Sequence, residues 1–122
     1  MKLSTGVDLI EIDRIQRAIE RHGKIFLERI YTPKEIAQFG KSIESLAVRF
    51  AAKEAVSKAL GSGIGDVSWR EIEILRDEMD APVLQLHGQA HLRADLLGLH
   101  TWSVSLSHTE THAIAMAVAV GE

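Results

Sequence analysis

Asp8, Glu54 and Lys58 are the residues with which this chain could hold a metal ion and a phosphate. Glu54 and Lys58 lie in R-F-A-A-K-E-A-V-S-K-A-L-G at 49–61, an alanine-dense run with the composition of a helix. Arg49 and Lys53 are four residues apart in that run, and so are Glu54 and Lys58. Helix geometry puts i and i+4 side chains on one face, so the members of each pair are neighbours. An acid among alanines calls for a cation, and a divalent ion bridging phosphates would suit. A surface ion pair between Glu54 and Lys58, worth only ~0.3–0.5 kcal/mol, is the plainer alternative. Asp8 stands in G-V-D-L-I, inside an otherwise apolar strand. A charge buried without a partner is expensive, so Asp8 either faces water at a strand end or serves as a ligand. Asp8 and Glu54 come from separate elements. Two carboxylates completed by water and phosphate oxygens make a Mg²⁺ site, which seldom uses an all-protein cage.

Ser107 and His108 offer a hydroxyl and an imidazole, with His112 nearby. The two histidines flank a turn, so their i,i+4 spacing does not make a zinc helix, and H-E-x-x-H is absent. A solvated loop is the alternative. Arg14, Arg17, Arg21 and Lys24 step by three, four and three, which places them on one helix face opposite Ile12, Ile15 and Ile19. Such a stripe is either the solvated side of an amphipathic helix or, since it does not mix signs, a dock for an acidic partner.

The elements that must position these residues are legible from periodicity. Leu3 to Ile10 reads as a strand interrupted by Gly6, and Glu11 to His22 as a helix ended by Gly23. Thr32-Pro33-Lys34-Glu35 has the form of a capping box, opening a short helix to Phe39. Ile43 to Leu60 is the long helix, followed by a flexible Gly61–Gly65 loop. Trp69 to Arg76 and Val83 to His87 read as strands around an Asp80-Ala81-Pro82 turn, and Gln89 to Leu97 as a helix. Thr101 to Leu106 and Ala113 to Val120 alternate as a hairpin whose loop is Ser107 to His112. The order β-α-α-α-β-β-α-β-β predicts an α+β fold, with helices packed on a mainly antiparallel sheet.

At 122 residues the chain is read as one domain, 1–122, with no internal repeat or linker. No cysteine is present, which excludes disulfides and thiolate metal sites and fits a reducing compartment. No signal-peptide pattern or membrane-length apolar run occurs, so the expected location is the cytoplasm, with no membrane partner. Residues 1–61 carry eleven Lys/Arg and eight Asp/Glu, about +3; residues 62–122 carry three and nine, about −6. Without a long basic run, nucleic acid is not expected as a partner, whereas an acidic partner on the first half is.

Four blocks together resemble the holo-acyl-carrier-protein synthases, the small type of phosphopantetheinyl transferase. They are G-V-D-L-I-E-I-D-R-I at 6–15, F-L-E-R-I-Y-T-P-K-E at 26–35, the run at 49–61 with G-I-G at 63–65, and L-S-H-T-E-T-H-A-I-A at 106–115. The resemblance covers essentially the whole chain. It implies transfer of 4′-phosphopantetheine from coenzyme A to a serine of apo acyl carrier protein, with Mg²⁺ required and adenosine 3′,5′-bisphosphate released. This reaction activates the carrier for fatty acid synthesis. By matching position, Asp8 and Glu54 would hold the metal and Lys58 would contact the phosphate that is attacked or leaves. His108 would help hold the adenosine-side phosphates, with Arg49 and Lys53 as weaker candidates. Gly61, Gly63, Gly65 and Ser107 would lie along the nucleotide, and Arg14, Arg17, Arg21 and Lys24 would meet the carrier. The resemblance further implies a homotrimer with active sites between subunits, His108 acting in trans to Asp8 and Glu54. Larger relatives carry a third metal-site acid at the position of Ile10, so water would take that ligand place here. Two other readings stand beside it. A Mg²⁺-dependent pyrophosphohydrolase of coenzyme A predicts turnover without carrier protein. A non-catalytic module binding coenzyme A or an acidic protein predicts a broken Asp/Glu/Lys set, whereas all three are present.

Overall fold

A computed structural model describes all residues, Met1–Glu122. Strand β1 (Lys2–Glu11) leads into helices α1 (Ile12–His22), α2 (Lys24–Ile30), α3 (Pro33–Phe39) and α4 (Ile43–Ala59). A 3-10 turn at Trp69–Glu71 precedes the hairpin β2 (Ile72–Arg76) and β3 (Pro82–Leu86), then α5 (Gly88–Leu97) and the hairpin β4 (Thr101–His108) and β5 (His112–Gly121). The class is α+β, as the element order predicts, but the strands form two antiparallel sheets: β1-β5-β4 and β2-β3.

Three local differences follow from short-range chemistry. Helix α2 was not expected; it restarts the chain after Gly23, whose φ of 55° breaks α1, and it has no side-chain cap to announce it. Trp69–Glu71 is a 3-10 turn, because the Ser68 and Glu71 side chains and backbone close a capping box there, so β2 begins only at Ile72. The last hairpin is tight: β4 runs through His108 and β5 starts at His112, with Thr109 N–H donating to His112 O at 2.8 Å. The Thr32 capping box on α3 forms as predicted.

Helix α4 packs across β1 and β5. Its small residues Ala47, Ala51, Ala52, Ala55 and Ala59 are buried, and so are Ala113, Ala115, Ala117 and Ala119 of β5. Small side chains on both surfaces let helix and sheet approach closely. Gly6 marks the tightest approach: a Cβ there would stand 1.8 Å from the backbone oxygen of Ala55. The larger β5 residues turn to the other side of the sheet. There Ile114 and Met116 pair in register with Leu9 and Val7 of β1, and all four are exposed.

Candidate active site

The α4–β1 contact sets the site. Ser4, Gly6 and Asp8 share the face of β1 that meets α4, since alternate strand residues point the same way. Ser4 donates its hydroxyl to Ala59 O and Gly6 lies on Ala55, which leaves Asp8 beside the solvent-facing side of α4. Lys58 Nζ there donates to Asp8 Oδ1 at 3.2 Å and to Val7 O at 2.9 Å. Lys58 is therefore paired with Asp8 rather than with Glu54. The other Asp8 oxygen, Oδ2, is buried and has no hydrogen-bond partner. Burial, and then the nearby charge of Asp8, push the Glu54 carboxyl above its ordinary value, while Lys58 and Arg14 pull it back. A buried carboxylate oxygen without a partner, beside a second carboxylate whose charge is disfavoured, fits a divalent cation. No group of three or more His, Cys, Asp or Glu side chains gathers anywhere in the chain, so the fit is to Mg²⁺ completed by water and phosphate oxygens. Ile10 is packed in the core and offers no ligand.

Lys53 does not join this site, and its full burial corrects the expectation that it contacts phosphate; Arg49 also makes its contacts away from Asp8 and Glu54. Both Arg49 and Lys53 sit on the interior side of α4. Lys53 is fully buried; its ammonium donates to Glu35 Oε1 at 2.8 Å, Trp69 O at 3.0 Å and Ile72 O at 2.6 Å. Burial lowers its pKa, with Glu35 opposing the shift. Arg49 lies over the Phe39 ring, 3.6 Å from its centroid, and its Nε–H points at Ile74 O at 3.4 Å; burial pushes its pKa down to about 10. A lysine in an alanine helix gives no sign that it faces inward unless its acid is identified, and here the acid is the N3 residue of the α3 capping box. Glu35 is the residue that sequence reasoning assigned to the cap alone.

The Gly61–Gly65 loop is held rather than loose. Ser62 N–H and Gly63 N–H both donate to Ser57 O at 3.2 Å, and Arg93, which the sequence does not single out, donates to Leu60 O at 2.8 Å. Gly61 and Gly63 have φ of 72° and 66°, conformations that favour glycine, and a Cβ at Gly63 or Gly65 would meet open space. The loop thus leaves room for a ligand at the C-terminal end of α4. Ser107 and His108 lie at the exposed end of β4, two strands from Asp8 and roughly 10 Å across the sheet. His108 Nδ1 is 3.1 Å from Thr109 O, and Lys58 donates to Val7 and Asp8 rather than to Ser107 or His108.

The basic stripe is shorter and less uniform than its spacing predicts. Arg14, Arg17 and Arg21 line a groove of about 700 Å³ with Leu9, Glu11 and His112. Lys24 is separated from them by the Gly23 break and lines a different groove with Tyr31 and Ile36. Arg17 is paired with Asp13 at 2.8 Å, so signs do mix on this face. Arg14 connects the groove to the acids: its guanidinium lies 5.5 Å from the centroid of Phe50, one turn before Glu54.

Residues 4–117 match the family model of the 4′-phosphopantetheinyl transferase superfamily. A holo-[acyl-carrier-protein] synthase of Herpetosiphon aurantiacus is 52% identical, over 98% of this chain and 99% of its own. The chain belongs to the holo-[acyl-carrier-protein] synthases. It is therefore an enzyme of the phosphopantetheinyl transferase class. Solved structures of the family agree in fold. The Helicobacter pylori synthase in complex with coenzyme A superposes with a TM-score of 0.87 at 36% identity, covering 95% of this chain and 99% of that one. The Bacillus anthracis synthase in complex with CoA (3′,5′-ADP) does so with a TM-score of 0.79 at 34% identity, covering 98% and 96%. Sequence relatives and fold neighbours thus point to the same family as the four blocks.

Proposed function

We propose that this enzyme transfers 4′-phosphopantetheine from coenzyme A to a serine hydroxyl of apo acyl carrier protein, in a Mg²⁺-dependent reaction. The observation that carries the metal is the buried, unpartnered Oδ2 of Asp8 beside Glu54. Asp8 and Glu54 would hold Mg²⁺, which would supply charge neutralisation when the substrate's phosphates bind. Lys58, half exposed at the edge of the same site, exchanges Asp8 for a phosphate oxygen when substrate enters. The serine oxygen forms a bond to the phosphorus that carries the pantetheine. The bond from that phosphorus to the bridging oxygen breaks, adenosine 3′,5′-bisphosphate leaves, and the serine proton passes to solvent. Such transfers depend on positioning and charge stabilisation more than on a covalent protein intermediate.

The carrier docks on the Arg14–Arg17–Arg21 groove, whose Arg14 lies over Phe50 and within charge range of Glu54. The exposed apolar sheet face of Leu3, Val7, Leu9, Ile114 and Met116 supports a subunit interface, and the homotrimer that the family resemblance implies would cover it. The distance of Ser107 and His108 from Asp8 within one chain suits a site shared between subunits. The absence of cysteine suits action in a reducing cytoplasm. The test is to incubate the protein with coenzyme A, Mg²⁺ and apo acyl carrier protein and to weigh the carrier by mass spectrometry. A mass gain of one phosphopantetheine is expected, and none without Mg²⁺. Release of the bisphosphate without carrier would instead make the enzyme a pyrophosphohydrolase. Monomeric sedimentation with full activity would refute the shared site.

A further inference from the structure

We infer that the buried Lys53–Glu35 pair is a positioning device that fixes the rotation of α4, and so aims Glu54 at Asp8. Between Phe50 and Val56 the buried side chains of α4 are three alanines and Lys53. Alanines present shallow ridges, so this turn could rotate on the sheet with little loss of dispersion contact. Gly6 limits how close β1 and α4 come, but a backbone contact against Ala55 and Ala59 does not by itself set the rotation. Lys53 supplies the missing direction. Each of its three ammonium hydrogens has an acceptor, and those acceptors belong to α3, the 3-10 turn and β2. Glu35 is held in turn by Thr32 N–H and Ile74 N–H, both at 2.8 Å. Hydrogen bonds are directional where apolar burial is not, and buried polar groups are best attested as devices that fix register. Glu54 follows Lys53 by one residue and Lys58 by five, so a rotation of this turn moves the proposed metal ligand and the phosphate contact together.

This inference rests on the reading of Asp8 and Glu54 as Mg²⁺ ligands. Its test compares the wild type with Lys53→Met/Glu35→Gln, which removes both charges, and with Glu35→Gln alone. The double variant leaves no uncompensated buried charge, whereas the single variant leaves the Lys53 ammonium with only its two carbonyl acceptors, so the two disturb the fold for different reasons and one folded variant suffices for the test. Unfolding curves set an assay temperature at which each variant is fully folded. Mg²⁺ is then titrated calorimetrically into the protein with coenzyme A, and transfer is followed against Mg²⁺ concentration. A positioning role predicts Mg²⁺ binding weakened about tenfold in the double variant and about threefold in the single one. It also predicts a lowered kcat and an unchanged KM for carrier protein. Mg²⁺ binding and kcat within twofold of wild type in a folded variant would overturn the inference and leave the pair a purely structural one. Failure of the underlying reading looks different, because the wild type itself would then show no Mg²⁺ binding and no Mg²⁺-dependent transfer.

Discussion

Replacing Gly6 by alanine tests the contact on which the site is built. The added Cβ would stand 1.8 Å from Ala55 O, 2.8 Å from Ala55 C and 3.0 Å from Ala59 N, all backbone atoms of α4. An ordinary C···O contact needs about 3.3 Å, so strand and helix must separate by roughly 1.5 Å. No side-chain rotation can absorb this, since both partners are main chain. Overpacking typically costs ~1–3 kcal/mol, and a backbone clash belongs at the upper end, so Gly6→Ala should lower Tm by on the order of 10 °C. Asp8 lies two residues along the same face of β1 and must move with it. Misplacing a reacting group by about 1 Å can cost ~100-fold in rate, so transfer should fall by about that factor below the melting transition. Gly121→Ala is the control. Its Cβ would stand 1.6 Å from Gly98 O, an equally severe clash, but Gly121 pairs with Lys2 at the far end of β1, roughly 20 Å from Asp8. That variant should lose comparable stability and keep most of its kcat. Thermal unfolding and mass-spectrometric transfer assays on both variants decide the matter. A Gly6→Ala protein with a wild-type melting point, or one that loses stability while keeping full kcat, would show that the β1–α4 approach does not set the site.

Asp8→Asn and Glu54→Gln should each lower transfer by about 100-fold and raise the Mg²⁺ concentration needed, because each removes a charge from a site with two protein carboxylates; near-normal rates in both would remove the metal assignment. Reversing Arg14 and Arg21 to Glu should raise the KM for carrier protein about tenfold or more while leaving that for coenzyme A within twofold. Wild-type carrier KM should climb with salt, and the double variant should lose much of that slope; an unchanged carrier KM would leave the groove without a docking role. Glu73 is buried and accepts hydrogen bonds from Thr32 and His87; burial raises its pKa, but those bonds outweigh it and hold the carboxyl below its ordinary 4.5. The folded state then binds the Glu73 proton less tightly than the unfolded chain does. Its contribution to stability is present above about pH 4.5 and lost as pH falls through the folded value, so Glu73→Gln should flatten the acid side of a Tm-versus-pH curve, and an unaltered acid slope would refute this role.

What the sequence could show, and what it could not, divides along a physical line. The Thr32 cap, the long helix and the terminal hairpin were legible because each is set by local spacing. Asp8, Glu54 and Lys58 were legible because their charges sit in apolar or alanine-rich surroundings, and the structure does bring them together. Alternation along Ala113 to Val120 showed that β5 has two faces but not which of them meets the helix. Hydrophobic size favours Ile114 and Met116 inside, yet the close approach at Gly6 leaves room only for alanines. Lys24 has the right spacing for the Arg14–Arg21 stripe, but Gly23, which the sequence marks as the end of the first helix, takes a positive φ and puts Lys24 on a separate helix. Lys53 is the sharpest case. Charge alone places it on the surface with Glu54, and only the carbonyls of Trp69 and Ile72 and the acid of Glu35, 16 to 19 residues away, draw it inward. Adjacent residues of α4 therefore divide the work: Lys53 secures the helix from within, while Glu54 presents its carboxylate to Asp8 outside. That division is a property of long-range contacts, which no window of local sequence contains.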